Sequence, residues 1–326
     1  MIVEQIRETV RAGGLLGEAR KVVAMVSGGR DSVCLLDVAV ALCAPGSVAA
    51  LHVNYGLRGG QADEDERHCA ALCVSFGVEL EVVRAHRPQG ETGNLQAWAR
   101  GVRYAAAMDM AKELEERWAA PGQSRALVAA GHTASDQVET ILYRLASSPG
   151  RRALLGMRAR EGSRLIRPLL GVTRAQTGAY CEARGLRWRE DASNDSEEYA
   201  RVRVRGGLVP ALRAVHPAAE ANVLRTAWLL REETELLDGL VEEALEGRQS
   251  LTIARLGELP AALARLVVVS LAERAAGTYV PQAGGRVEEI LELGRRGGDR
   301  LDLHVGGNVS ARIEDGRLSM VKLPPR

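Results

Sequence analysis

The sequence predicts an α/β fold: a parallel sheet in an N-terminal domain, followed by a smaller α+β C-terminal domain. Three observations carry this. The first 150 residues alternate short β-branched runs with stretches of helical apolar spacing. A tight glycine turn sits at the first strand-to-helix junction. Beyond Gly297 the pattern changes to strands separated by glycine-rich turns. Strand and helix in strict alternation imply right-handed crossovers, and therefore a parallel sheet covered on both faces.

Taken in order, Val22–Val26, Val48–Val53, Val78–Val83 and Ala126–Ala130 read as buried strands, being short, apolar and bounded by glycine or polar residues. Ser32–Cys43, Ala62–Phe76 and Gly93–Trp118 read as the helices between them. Pro217–Glu246 reads as one long amphipathic connector, and Leu256–Gly277 and Arg286–Gly294 as shorter helices. Arg300–Val305, Asn308–Glu314 and Arg317–Lys322 close the chain as strands. The expected division is 1–216 and 217–326.

Composition narrows the class. The chain has 326 residues, 46% of them hydrophobic and 26% charged, which excludes wholesale disorder and collagen-like repeats. Only 3% are aromatic, so the core must rest on Leu, Val, Ile and Ala. With 43 basic against 42 acidic residues, net charge alone predicts no polyanionic partner. Between Tyr143 and Arg213, however, 15 arginines face seven acids. Such unevenness marks either a polyanion-facing surface or a solvated face.

Met1–Gly14 mixes charges through its apolar positions and is not patterned as a signal peptide. The longest charge-free run, Val38–Leu57, is broken by Pro45-Gly46-Ser47, so it reads as helix end, turn and strand rather than a membrane span. The five cysteines include no C-x-x-C pair, and Cys69 and Cys73, four apart on a helical pattern, read as packing rather than a metal pair. A cytoplasmic protein with no membrane association is the expectation.

Two constellations carry chemistry. Val22–Val26 runs directly into Ser27-Gly28-Gly29-Arg30-Asp31-Ser32, with a helical pattern following at once. A strand, a glycine turn and a helix N-terminus form an anion site, because free backbone N–H groups converge there and glycine lets phosphate approach the chain. Neither the Walker ending nor G-x-G-x-x-G is present. What stands there is the S-G-G-x-D-S loop of the ATP pyrophosphatases, the PP-loop, whose enzymes cleave ATP between its α- and β-phosphates. The second constellation, Gly131–Thr140, lies at the carboxyl end of the strand Ala126–Ala130, where open α/β sheets bind ligands. His132, Asp136 and Glu139 share one face if that segment is helical. A metal triad, an acid/base cluster and a merely capped, solvated helix start all fit this spacing.

The sequence resembles the bacterial tRNA(Ile)-lysidine synthetase family, of adenine nucleotide alpha hydrolase-like fold. Beyond the loop, the resemblance rests on His52-Val53-Asn54-Tyr55-Gly56-Leu57-Arg58 and on Asn94–Tyr104, which ends A-R-x-x-R-Y. Gly131–Thr140 is similar to the family's H-x-x-D-D-Q-x-E-T motif, with Ser135 where Asp is usual. Leu165–Leu170, Trp188–Asn194 and Tyr199–Arg205 are also family-like, with Val202 in place of the usual Asn. The resemblance implies that ATP adenylates C2 of the wobble cytidine of a CAU-anticodon tRNA(Ile), and that free L-lysine then displaces AMP.

It further implies site residues. Ser27, Gly28, Gly29, Arg30, Asp31, Ser32 and His52 would bind ATP, and Asp31 would hold Mg²⁺. Asp31, Arg100, Arg103 and His132 would act on the triphosphate. Asp136 and Glu139 would take the lysine ammonium, with Arg205 for its carboxylate or a phosphate. Arg151, Arg152 and Arg201 would contact tRNA, the first two from a Ser/Pro/Gly loop, Ser147–Arg152, at the active-site mouth. Trp188 and Tyr199 are packing anchors before they are base-stacking residues, and His52 is as readily a hydrogen-bonded core histidine. The expected partners are that tRNA, free L-lysine and a second copy of the chain as a homodimer. The rival readings are another PP-loop enzyme, a tRNA thiolase or an amidating synthetase, and a relative that binds nucleotide or RNA without catalysis.

Overall fold

The computed structural model describes residues 1–57, 59–87, 93–117, 125–147, 150–189, 200–298 and 300–324, without the side chains of 200 and 201. By density of contacts the chain forms two compact units, 1–143 with 156–224, and 144–155 with 225–326.

The first unit opens with α1 (Ile2–Ala12), which buries Ile6 and Val10. Then β1 (Val22–Met25), α2 (Arg30–Leu42), β2 (Val48–Asn54), α3 (Gly60–Phe76), β3 (Glu79–Arg84), α4 (Leu95–Arg117) and β4 (Leu127–Ala129) alternate as the sequence predicts. There follow α5 (Ala134–Ser147), two short strands β5 (Arg160–Glu161) and β6 (Leu165–Ile166), and α6 (Arg174–Ala183). α7 (Ala200–Arg203), a π-helical turn at Val204–Leu208, α8 (Val209–Val215) and the start of α9 (Ala219–Leu245) complete it.

The sheet runs β3-β2-β1-β4-β6-β5. β1 pairs in parallel with β2 (Val22 opposite Val48) and with β4 (Val22 opposite Leu127). β2–β3 and β4–β6 are parallel too, and β5 runs antiparallel to β6. Strand period two sorts the core. Val22, Ala24 and Val26 pack on one face with Leu36 and Cys69, while Val23 and Met25 pack on the other with Ala107, Met110 and Leu114. The two pairs of β1 neighbours lead away in opposite directions, so the carboxyl ends of β1 and β4 flank a topological switch point, where a crevice opens in sheets of this kind.

In the second unit the strands β7 (Ser250–Thr252), β8 (Arg300–Gly306), β9 (Val309–Glu314) and β10 (Arg317–Lys322) form an antiparallel sheet ordered β7-β10-β9-β8. α10 (Ile253–Glu258), α11 (Ala261–Ala276) and α12 (Val287–Arg296) pack on it around Leu256, Val267, Leu271, Ile290 and Leu318. The single helix expected over Leu256–Gly277 is in fact two. Pro260 forces Leu259 out of helical geometry (ψ 146°) and caps α11. Arg151 and Arg152, expected in the loop Ser147–Arg152, begin a short 3₁₀ helix, Arg151–Leu155, belonging to this unit. Among the described residues no helix is long and apolar enough to cross a membrane.

Candidate active site

The loop after β1 is held by its own hydroxyls. Ser32 Oγ accepts from the Ser27 amide at 3.1 Å and donates to the Gly29 carbonyl at 2.8 Å, and the Ser27 hydroxyl reaches Ser32 Oγ at 3.2 Å. Gly28 has φ +84°, and a Cβ there would sit 3.3 Å from the His68 ring and 3.4 Å from Cys69 Sγ, so glycine is required twice over. At the start of α2 the Ser32 and Val33 amides donate to the Gly29 carbonyl at 3.0 Å, which leaves the amides ahead of them, at Arg30 and Asp31, as the anion-binding end of the loop. His52 is a buried core histidine whose Nδ1 lies 2.9 Å from the Val26 carbonyl, bracing the stem of the loop.

Gly131, just past β4, closes the other side. A Cβ at that position would lie 3.2 Å from the Asp31 carbonyl oxygen and 3.3 Å from Ser32 N. This close approach brings the carboxyl end of β4 against the phosphate loop. Next along, Thr133 and Asp136 form a reciprocal cap on α5, with Asp136 Oδ2 accepting from Thr133 N (2.8 Å) and Oγ1 (2.7 Å). Asp136 Oδ1 and buried Glu139 then face the same way, as helical spacing predicts.

The structure adds a residue that the sequence did not single out. Arg174, the first residue of α6, reaches Asp136 Oδ1 at 2.6 Å, Glu139 Oε1 at 3.0 Å and Asp31 Oδ2 at 3.5 Å. Its backbone N–H donates to Ser135 Oγ at 3.2 Å, and a Thr173–Gln176 capping box fixes the start of the helix. Arg205 binds Glu139 through both oxygens at 2.7 and 3.1 Å. Three carboxylates and two guanidiniums thus line or adjoin a cavity of about 340 Å³ that also touches Arg30 and Arg213. Asp31 accepts a hydrogen bond from Thr177, also on α6. Burial raises the Asp31 carboxyl above its usual range, with Asp136 pushing the same way and Thr177 and Arg174 opposing.

His132 sits between this cluster and a buried arginine. Arg167, 1% exposed, donates through Nε to His132 Nδ1 at 3.3 Å, through one terminal nitrogen to the Arg158 carbonyl at 2.7 Å and through the other to Glu161 at 2.5 Å. A guanidinium can only donate, so Nδ1 accepts and the neutral ring carries its proton on Nε2. Burial pushes His132 down to about 4, with Asp136 opposing and Arg167, Arg100 and Arg103 adding to the fall. Arg100 and Arg103 lie against Tyr104, at 4.4 and 5.8 Å from its ring centre. Among the described residues, the buried Nε atoms of Arg30 and Arg103 have no hydrogen-bond partner. Orphaned donors on this side fit an anionic group such as a polyphosphate.

The expected tRNA contacts fare differently. Arg152 is tied to Glu273 at 2.5 Å and Asp238 at 2.7 Å within the second unit, so a phosphate would have to compete with both. The side chain of Arg201, and Glu190–Asn194 with Tyr199, lie outside the described residues. All five cysteines are free and buried, and the described residues contain no group of three or more His, Cys, Asp or Glu arranged to hold a metal. Arg174, Thr177 and Arg167 are the site residues that sequence reasoning missed. The Thr-x-x-Gln cap announces a helix start at Arg174, though not what that helix meets.

Comparison with known proteins places this site in a family. The PP-loop domain model matches residues 2–212. The tRNA(Ile)-lysidine synthase of Dehalococcoides mccartyi is 32% identical over 93% of this chain and 67% of its own, and that of Symbiobacterium thermophilum is 34% identical over 100% and 70%. The Gloeobacter violaceus enzyme of the same name is 36% identical over 78% and 77%. Against other curated relatives the chain spans about half their length, 52% for Geobacter sulfurreducens and 47% for Pseudomonas fluorescens. A U34-tRNA thiolase from Methanococcus maripaludis superposes with TM-score 0.57 over 71% of this chain and 79% of its own at 19% identity, a likeness of fold alone. The chain belongs to the PP-loop family and, within it, to the tRNA(Ile)-lysidine synthases.

Proposed function

We propose that the protein ligates L-lysine to C2 of the wobble cytidine in the CAU anticodon of tRNA(Ile), consuming ATP and releasing pyrophosphate and AMP. The observation that carries this is the packing of Gly131 against the first turn of α2, which joins the phosphate loop to the acidic face of α5. In the first step the C2 oxygen bonds to the α-phosphorus and the bond to the β-phosphate oxygen breaks. In the second the ε-amine bonds to C2 and the AMP oxygen leaves with the electron pair.

The residues divide accordingly. Ser27 to Ser32 cradle the phosphates, Arg30, Arg100 and Arg103 neutralise them, and His132 donates from Nε2–H as a neutral group. Mg²⁺, when bound, supplies charge neutralisation at phosphate oxygens, and Asp31 is the carboxylate that would hold it, consistent with a metal bound by few protein ligands plus phosphate. Asp136 and Glu139 receive the lysine ammonium, and Arg205 stands beside them for the lysine carboxylate. Arg151, Arg152 and Arg201 contact the tRNA backbone, with residues beyond about 217 gripping another part of it. A cytoplasmic homodimer completes the reading. Mass analysis of nucleosides from a CAU-anticodon tRNA incubated with protein, ATP, Mg²⁺ and lysine tests it. Lysine-dependent appearance of lysidine is expected, and unmodified cytidine from folded protein overturns it.

A further inference from the structure

The two carboxylates assigned to the amine are bound by guanidiniums of the chain itself. The two terminal nitrogens of Arg174 bridge Asp136 Oδ1 at 2.6 Å and Glu139 Oε1 at 3.0 Å. The other acceptors of this pair are taken. Asp136 Oδ2 receives the Thr133 amide and hydroxyl, and Arg205 binds Glu139 through both oxygens, Oε2 at 3.1 Å and, shared with Arg174, Oε1 at 2.7 Å. An ammonium between the two carboxylates therefore needs the oxygens that Arg174 occupies, Asp136 Oδ1 alone and Glu139 Oε1 together with Arg205. An ammonium is compact and offers its donors in any direction, whereas a guanidinium fills the gap with a planar fork.

We infer that Arg174 is a specificity-determining residue, an internal counter-ion that the substrate ammonium must displace from Asp136 and Glu139. This rests on the reading of those carboxylates as the amine site. The consequence follows from linkage: a tethered cation competing for the same acceptors must be displaced at a cost, and an amine with further contacts in the site meets that cost where a shorter amine falls below measurable use. Displaced from Asp136 and Glu139, the guanidinium stays within reach of Asp31, whose Oδ2 lies 3.5 Å from Arg174 Nε. Amine entry is thereby linked to charge at the phosphate loop. Arg174 is well placed to move its head while its backbone stays fixed, because the Thr173–Gln176 box and Ser135 hold the main chain and not the guanidinium.

The test is the direction of change in lysine use, not its loss. In Arg174→Met the apparent KM for lysine should fall by about tenfold, kcat should fall because Asp31 loses a neighbour, and ornithine and other short amines should become measurable substrates or inhibitors. Arg174→Lys, which keeps a tethered ammonium, should retain a KM at or above wild type. Arg174→Gln, uncharged but able to hydrogen bond, should behave like Arg174→Met and serves if that variant fails to fold. Equilibrium lysine binding by calorimetry should tighten in the uncharged variants independently of turnover. A raised lysine KM in both uncharged variants, with calorimetric lysine binding weakened in step, overturns the inference and makes Arg174 a scaffold for the carboxylates. Wild-type protein that forms no lysidine instead overturns the assignment of the reaction, so the two failures are separable.

Discussion

Replacing Arg167 by Met should destabilise the first unit and make the activity sensitive to mild acid. Arg167 is 1% exposed and donates to three acceptors. Methionine fills much the same volume, so the cavity contribution is small. What changes is hydrogen bonding. The Arg158 carbonyl and His132 Nδ1 lose their donors, each costing about 1–3 kcal/mol, whereas the Glu161 carboxylate is 58% exposed and regains water. The sum is about 2–6 kcal/mol, a fall in Tm of roughly 4–24 °C for a unit of this size. Differential scanning calorimetry reads it.

The same substitution moves a proton. His132 is pushed down to about 4 in the folded protein, chiefly by burial and next by its arginine neighbours, Arg167 first among them. Its ordinary value is near 6.5. A base depressed on folding contributes stability that is complete above its unfolded value and lost as pH falls from there through the folded one. Wild-type protein should accordingly lose stability between about pH 6.5 and 4, while its pyrophosphate release shows no histidine limb near pH 6.5. Without Arg167 the His132 value rises, the ring protonates in milder acid, and an acid limb should enter the rate profile. An unchanged Tm together with an unchanged pH–rate profile refutes the reasoning.

Asp31→Ala should abolish pyrophosphate release with Tm little changed, since its carboxylate is raised by burial and organises the loop rather than the core; turnover at the wild-type rate refutes it. Glu139→Gln or Asp136→Asn should raise the lysine KM roughly tenfold or more, with ATP binding nearly intact, because a desolvated ammonium loses a charged partner worth about 2–5 kcal/mol. Collapse of ATP binding with normal lysine saturation would move these carboxylates to the nucleotide site. Arg151→Ala with Arg152→Ala should weaken cognate and non-cognate tRNA alike and reduce the salt slope by about 2. A wild-type slope leaves Arg152 as an internal tie to Asp238 and Glu273.

β1 to β4 were legible because apolar runs bounded by glycine or polar residues leave few alternatives, whereas the two-residue β5 and β6 are too short to show a pattern; the loop after β1 was legible because its spacing serves a single purpose. α1 was harder to read: Ile6 and Val10 are its buried positions, and the surrounding charges resemble any amphipathic start. Helix spacing foretold that Asp136 and Glu139 share a face. Arg174 and Thr177 could not be placed the same way. Their approach to Asp31 and Asp136 is set by α6 packing beside α2, which no local pattern in residues 167–183 encodes. Arg152 is a second case. Flanking Ser, Pro and Gly did not foretell its acidic partners 86 and 121 residues away, with which a tRNA phosphate would compete.

Position 135, where the resembled motif carries Asp, shows how such a departure acquires meaning only in three dimensions. Ser135 Oγ accepts the Arg174 amide hydrogen at the start of α6. An aspartate could accept the same hydrogen and would complement the helix N-terminus. It would also bring a fourth carboxylate to a site that already gathers Asp31, Asp136 and Glu139 around Arg174 and Arg205. Ser135 adds no charge to this cluster, which Arg30 and Arg213 also adjoin. In a Ser135→Asp variant the Asp31 carboxyl, already raised by burial and by Asp136, would be pushed further toward its neutral form. The serine therefore keeps the backbone hydrogen bond that seats Arg174 without adding a carboxylate beside Asp31, Asp136 and Glu139.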